Sequence, residues 1–201
     1  MNKVILLALS MPVTAFSQVM ENSGSDNLPG TACQGDVVIT EIMADPLPVV
    51  SLPSKEYLEI FNRTESVFNL KNWSLSDGNS RCIFPEKILL PGEYLILCQQ
   101  QDTVLFKDFG KTAGLKSFPA LTNSGKTLYI RDSKAKLIHG VRYSSDWYGN
   151  ILKDGGGWSL EIIDTGYPFF EKGNWRASVS LEGGTPGKVN SVSGVNRDIY
   201  F

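Results

Sequence analysis

Four carboxylates, Glu41, Asp45, Glu56 and Glu59, have the type and spacing that most readily suggest chemistry in this chain. Glu41 and Asp45 lie in one segment and Glu56 and Glu59 in the next, so a strand pair can bring them to one end, where hard oxygen ligands suit Ca²⁺. Two such acids can also cleave a glycosidic bond, although nothing in the sequence sets the separation or the pKa difference which that reaction requires. A plainer reading stands beside these. Acids alternating with apolar residues, as in Tyr57-Leu58-Glu59-Ile60-Phe61-Asn62, make a strand with one face in a core and one in water, and Asp45 before Pro46 caps a turn.

Other reactive groups are sparse. His139 is the single imidazole, placed in Leu137-Ile138-His139-Gly140-Val141, a strand from which it is expected to face outward. No Gly-x-Ser-x-Gly turn accompanies it, so a Ser-His-Asp triad has no footing. One His and three scattered Cys give no zinc spacing. Gly110-Lys111-Thr112, Gly125-Lys126-Thr127 and Gly187-Lys188 lack the earlier glycine of a phosphate loop. A net charge of −2 offers no broad basic surface for a phosphate backbone, which argues against nucleic acid as a partner. Among four tryptophans, Trp73 and Trp158 sit in or beside strand-like runs and are expected in the core. Trp147 and Tyr148, in the loop Ser144–Asn150, are the first choice for a recognition tip.

The elements that must position these groups are short β-strands. Val37–Met43, Tyr57–Asn62, Trp73–Leu75, Tyr94–Cys98, Thr127–Arg131, Leu137–Tyr143 and Ser159–Ile163 are apolar or alternating runs separated by Gly, Pro, Asn and Asp clusters. Thr127–Arg131 and Leu137–Tyr143 read as a hairpin closed by Asp132-Ser133-Lys134-Ala135-Lys136. Pro46, Pro48 and Pro53 exclude helix and central strand between the first two runs. No segment carries helical periodicity, and Thr103–Phe109 has room for a turn or so. Seven or more short strands in a 201-residue chain, with 19 Gly and 10 Pro, indicate one all-β sandwich with a two-layer core.

The order of the motifs is more specific than any one of them. Ile39-Thr40-Glu41-Ile42-Met43-Ala44-Asp45-Pro46 is followed by Leu52-Pro53-Ser54-Lys55-Glu56-Tyr57-Leu58-Glu59-Ile60-Phe61-Asn62 and Leu70-Lys71-Asn72-Trp73-Ser74-Leu75-Ser76-Asp77-Gly78. Later come Leu90-Pro91-Gly92-Glu93-Tyr94, Phe118-Pro119-Ala120-Leu121-Thr122-Asn123-Ser124-Gly125, Gly156-Gly157-Trp158-Ser159-Leu160-Glu161, Asn174-Trp175-Arg176-Ala177-Ser178 and Gly183-Gly184-Thr185-Pro186-Gly187. This succession resembles the lamin-tail domain in its secreted bacterial form, from about Asp36 to Val192. The resemblance implies an immunoglobulin-like β-sandwich and a module that binds or assembles. Relatives often carry a cysteine ahead of the Asn-Trp element. Here the chain reads Pro168-Phe169-Phe170, so no family disulfide is carried over.

Met1-Asn2-Lys3, the apolar run Val4–Val13 and Ala15-Phe16-Ser17 form a secretory signal pattern, with cleavage expected between Ser17 and Gln18. The apolar run is too short to span a bilayer. The expected plan is signal peptide 1–17, linker 18–35, sandwich domain 36–192 and tail 193–201. Export places the mature chain in the periplasm or outside the cell. In that oxidising setting Cys33, Cys82 and Cys98 allow one bridge and three connectivities, with Cys98 reading first as a buried small hydrophobe. The expected function is a non-catalytic structural or binding module that meets a protein or glycan surface component. It needs no cofactor unless the acids hold Ca²⁺, and the alternative is an accessory hydrolase-type activity of those acids.

Overall fold

The computed structural model describes residues 30–169 and 172–197. The signal pattern with its Ser17–Gln18 cleavage point, most of the linker, Phe170 and the end of the tail lie outside the described residues.

Twelve strands follow one another: β1 (Val37–Met43), β2 (Tyr57–Asn62), β3 (Phe68–Asn69), β4 (Ser74–Ser76), β5 (Arg81–Ile83), β6 (Ile88–Leu89), β7 (Tyr94–Gln99), β8 (Thr112–Leu115), β9 (Gly125–Arg131), β10 (Leu137–Ser144), β11 (Leu160–Ile162) and β12 (Trp175–Ala177). One short helix, α1 (Thr103–Phe106), follows β7. Six strands form a sheet in the order β12-β11-β1-β2-β7-β8, four form a second in the order β10-β9-β4-β5, and β3 with β6 makes a ribbon. Pairing is antiparallel except between β7 and β8. The protein is an all-β, immunoglobulin-like sandwich, as the sequence predicts. Its main core includes Val37, Ile39, Ile42, Leu58 and Ile60 from one sheet against Leu75, Leu128, Ile130 and Val141 from the other.

The turn chemistry follows the sequence closely. The β9–β10 hairpin is closed by Asp132, whose Oδ1 accepts from the backbone N–H of Lys134 and Lys136, while Ala135 takes a left-handed φ of 65°. Asp77 closes the β4–β5 turn in the same manner, accepting from Asn79 and Ser80, with Gly78 at φ 90°. Five strands escape the sequence reading: β3, β5, β6, β8 and β12. Each has two to four residues, too few to establish an alternation.

The outer face of the six-stranded sheet departs from expectation. Tyr57, Leu58, Glu59 and Ile60 of β2 are all fully buried, where alternation predicts that every second residue meets water. Helix α1 and the chain after β12 cover that face. Beneath them Met43, Leu52, Tyr57, Ile96, Cys98 and Phe106 form a second, smaller apolar cluster.

Candidate functional site

A β-bulge starts the arrangement of the carboxylates. Register between β1 and β2 shifts between Ile39 and Glu41, and two successive residues, Thr40 and Glu41, address the outer face. Glu41 then stands opposite Glu59 on β2 and opposite Glu161 on β11. Three glutamates therefore lie side by side across three adjacent strands, and all three are fully buried.

Donors from the fold surround them. Glu41 Oε1 accepts from Tyr57 Oη at 2.7 Å, Ser159 Oγ at 2.6 Å and the Thr185 backbone N–H at 2.8 Å. Glu59 accepts from Thr40 Oγ1 at 2.8 Å and the Gly187 N–H at 2.5 Å. Glu161 accepts from Thr185 Oγ1 at 2.9 Å, Ser191 Oγ at 2.7 Å and the Val192 N–H at 3.2 Å. Most of these donors belong to residues 183–192, a strap that crosses the sheet after β12. Asn190 of the strap donates through Nδ2 to the carbonyls of bulged Thr40 and of Ile162, both at 2.9 Å. Gly184 leaves no room for a side chain, since a Cβ there would stand 2.5 Å from Glu41 Oε1.

Among the described residues every hydrogen-bond partner of the trio is neutral, so the three acids face one another without a bonded cation. Burial, and next the Glu161 carboxylate, raises Glu41 from the ordinary value to about 7. Burial and Glu41 raise Glu59 well above the carboxylate range. Burial and the Glu41 charge also push the Tyr57 phenol far up, so it stays a donor. The trio acts as hydrogen-bond acceptor for the strap.

The four acids singled out in the sequence do not form one cluster. Glu41 and Glu59 meet in the trio. Asp45 and Glu56 lie elsewhere, with Asp45 accepting from Asn123 Nδ2 at 2.6 Å and Glu56 from the Leu121 N–H at 2.8 Å. Partial burial raises Glu56. Glu56 is three residues from Glu59, so alternation turns it to the other face, and Asp45 lies beyond the end of β1. Among the described residues no group of three or more His, Cys, Asp or Glu is placed to hold a metal ion. Glu161, the third member, went unread as a site residue. Its signal was the Ser159-Leu160-Glu161-Ile162 alternation, which repeats the acid-apolar pattern of β2.

His139 does not face outward. It is fully buried between the layers, with Nδ1 accepting from the Ile39 N–H at 3.2 Å and Nε2 2.9 Å from the Pro168 carbonyl. These partners fix a neutral ring protonated on Nε2, and burial lowers its pKa to about 4. The imidazole pins β10 to β1 and to the loop before residue 169, with both ring nitrogens engaged by backbone groups. The three cysteines are unbridged: Cys33 is exposed, while Cys82 and Cys98 are buried in separate apolar clusters. Burial pushes both buried thiols to about 11, which keeps them protonated and inert.

Trp147 and Tyr148 diverge. Tyr148 is buried and donates from Oη to the Trp158 carbonyl at 3.0 Å, so it belongs to the core rather than to an exposed tip. Trp147 is half-buried, backed by Trp175 at 6.1 Å, and lines a cleft of ≈ 580 Å³ with Lys126, Arg142, Ser144 and Lys172. Trp73 and Trp175 are core residues, and Trp158 packs against the core with Lys153 over its ring at 4.2 Å.

Comparison with known families matches the description Lamin Tail Domain to residues 31–145, more than half of the chain. Searches of the curated proteins and of the solved structures returned no match. The matched span carries β1 to β10, the bulge, Glu41, Glu59 and His139. Strands β11 and β12 and the strap lie beyond it but complete the same sheet. On the strand order, the motif succession and this match, the chain belongs to the lamin-tail domain family.

Proposed function

We propose that this chain is a secreted, non-catalytic lamin-tail module that works by binding or spacing in the bacterial envelope or extracellular space. The observation that carries the reading is the burial of Glu41, Glu59 and Glu161 under the strap, with their acceptor capacity taken up by the fold itself. The rival reading, a hydrolase using Glu41 and Glu59, needs carboxylates that substrate and water can reach. Export rests on the charged start, short apolar run and small-residue end of residues 1–17. Trp147 in its cleft is the recognition residue we favour for a protein or glycan surface component. No cofactor is required, and Ca²⁺ leaves the melting temperature unchanged in this account.

Two experiments test it. Cell fractionation should find the processed chain, beginning at Gln18, in the periplasm or medium, and an unprocessed cytoplasmic chain contradicts export. Purified protein should hydrolyse neither glycans nor esters nor phosphodiesters. Turnover abolished by Glu59→Gln but retained by Trp147→Ala would transfer the assignment to the acids.

A specific observation favours a second use, assembly with copies of itself. Leu47, Val49 and Val50, then Ile151 and Leu152, then Val179 and Leu181, are exposed on three loops, with Leu181 92% exposed. The loops meet at one end of the sandwich: a Cβ at Gly157 would touch Val50, one at Gly183 would touch Val50 and Gly157, and Lys153 Nζ bonds the Ser178 carbonyl. Clustered apolar side chains at a surface mark an interface. Sedimentation over a hundredfold concentration range separates the two uses, since assembly requires a mass that rises with concentration.

A further inference from the structure

We propose that the strap 183–192 is a proton-controlled clasp, closed over the glutamate trio while Glu41 and Glu59 hold protons and released as those two ionise. The geometry supplies the ingredients. Glu41 is the cross-strand neighbour of both Glu59 and Glu161, so the three carboxyls crowd one dry layer. Like charges so placed repel strongly where water is excluded.

Thr185 is the residue that reads the proton. Its Oγ1 donates to Glu161 Oε1 at 2.9 Å and stands 3.5 Å from Glu41 Oε2. A proton on Glu41 Oε2 can be given to Thr185 Oγ1 while Thr185 donates onward to Glu161. When that proton leaves, Glu41 Oε2 becomes an anionic acceptor that competes with Glu161 Oε1 for the one Thr185 hydroxyl hydrogen. The strap's remaining bonds then hold charges that water would solvate better.

Among the described residues, the surrounding groups place no cation in contact with the trio. On β2 the titratable neighbours are Tyr57, bonded to Glu41, and Glu59 itself. On β7 they are Tyr94, whose phenol is raised to about 12 by burial and next by Glu59, and the buried thiol of Cys98. Arg176 of β12 stands opposite Glu161 in register but is exposed. Lys188 of the strap pairs at its surface with Glu182 at 3.8 Å, and Lys111 before β8 is bound to Glu93. Helix α1 contributes Phe106 and no charge to this face.

The direction follows from proton linkage. The closed state binds more protons than any state in which the trio is hydrated, so rising pH favours the open strap. Burial holds Glu41 at about 7, which sets the window from mildly acid to mildly alkaline conditions. Release uncovers three carboxylates and the outer face of β1, β2 and β11, while the β9–β10 sheet on the far side of the core keeps its pairing.

Hydrogen exchange on the intact chain at pH 5.5, 6.5 and 8, corrected for intrinsic rates, tests the clasp. The Thr185, Gly187 and Val192 amides are expected to lose about tenfold or more in protection from pH 5.5 to 8, with Leu128 and Ile130 unchanged. Glu41→Gln should flatten that dependence, and Thr185→Val should lower strap protection at every pH. If Glu41→Gln does not fold, Glu59→Gln, which removes the other raised carboxyl of the trio, should reduce the dependence in its place. Strap protection that is constant with pH overturns the proposal, and so does loss shared equally by Leu128 and Ile130.

Discussion

At the scale of single residues, two buried groups pull stability in opposite directions with pH. Glu41 has a folded pKa raised from 4.5 to about 7, so its contribution is full below pH 4.5 and is lost as pH rises through 7. His139 has a folded pKa lowered from 6.5 to about 4, so its contribution is full above pH 6.5 and is lost as pH falls through 4. Each shift corresponds to roughly 3 kcal/mol. The wild-type stability curve should therefore be shallow between pH 4.5 and 6.5, where the two trends oppose. Denaturant melts from pH 4 to 8 should show a weakened alkaline limb in Glu41→Gln, where Glu59 still contributes, and only the alkaline limb in His139→Phe. The second variant also strands the Ile39 N–H and the Pro168 carbonyl, with an expected cost of about 2–4 kcal/mol at pH 7. An acid limb in His139→Phe identical to that of the wild type would remove His139 from the account.

At the scale of elements, the strap and the bulge decide what the acids do. Gly184 packs its backbone against Glu41, Tyr57 and Leu52, so Gly184→Ala has to push the strap off the sheet, a change expected to cost about 1–3 kcal/mol. Gly155, whose added Cβ would meet nothing within 4 Å, is the control, and Gly155→Ala should leave the melting temperature unchanged or slightly raised. Equal losses from both would show that loop flexibility, rather than contact with Glu41, sets the penalty. The same elements explain what could be read in advance. β1 and β2 were legible to the residue because Val37–Met43 is rich in β-branched residues and Tyr57–Asn62 alternates. Their acids were assigned to a wet face because period-two alternation cannot tell water from a covering strap. Glu161 and Thr185 are 120 and 144 residues from Glu41, and their meeting depends on strand order, which local pattern does not contain. The outward placement expected of His139 failed for a related reason: an irregularity between Leu137 and His139 shifts the β10 register, and the ring meets two backbone partners from distant segments.

At the scale of the molecule, a lamin-tail sandwich has two faces with different duties. The inner face is an apolar core that Trp73, Trp175 and Tyr148 help to fill. The outer face of the six-stranded sheet exchanges apolar burial for a polar network locked by the strap. Ile151, Leu152 and Leu181, at one end, are the three most exposed large apolar side chains among the described residues. Ile151→Ser with Leu181→Ser should change stability by less than about 0.5 kcal/mol per site while reducing self-association in sedimentation. Unchanged association would leave Trp147 and its cleft as the surface to pursue.

The account's central claim is that the acids serve the fold rather than a reaction. Titrating the glutamate side-chain carboxyl carbons of the intact, ¹³C-labelled chain by NMR tests it most directly. The account predicts at least one glutamate titrating near pH 7, lost in Glu41→Gln and lowered by Thr185→Val as the strap loosens. Glutamates that all titrate near the ordinary carboxylate value would mean that Glu41 and Glu59 are hydrated and open to substrate, and would contradict it.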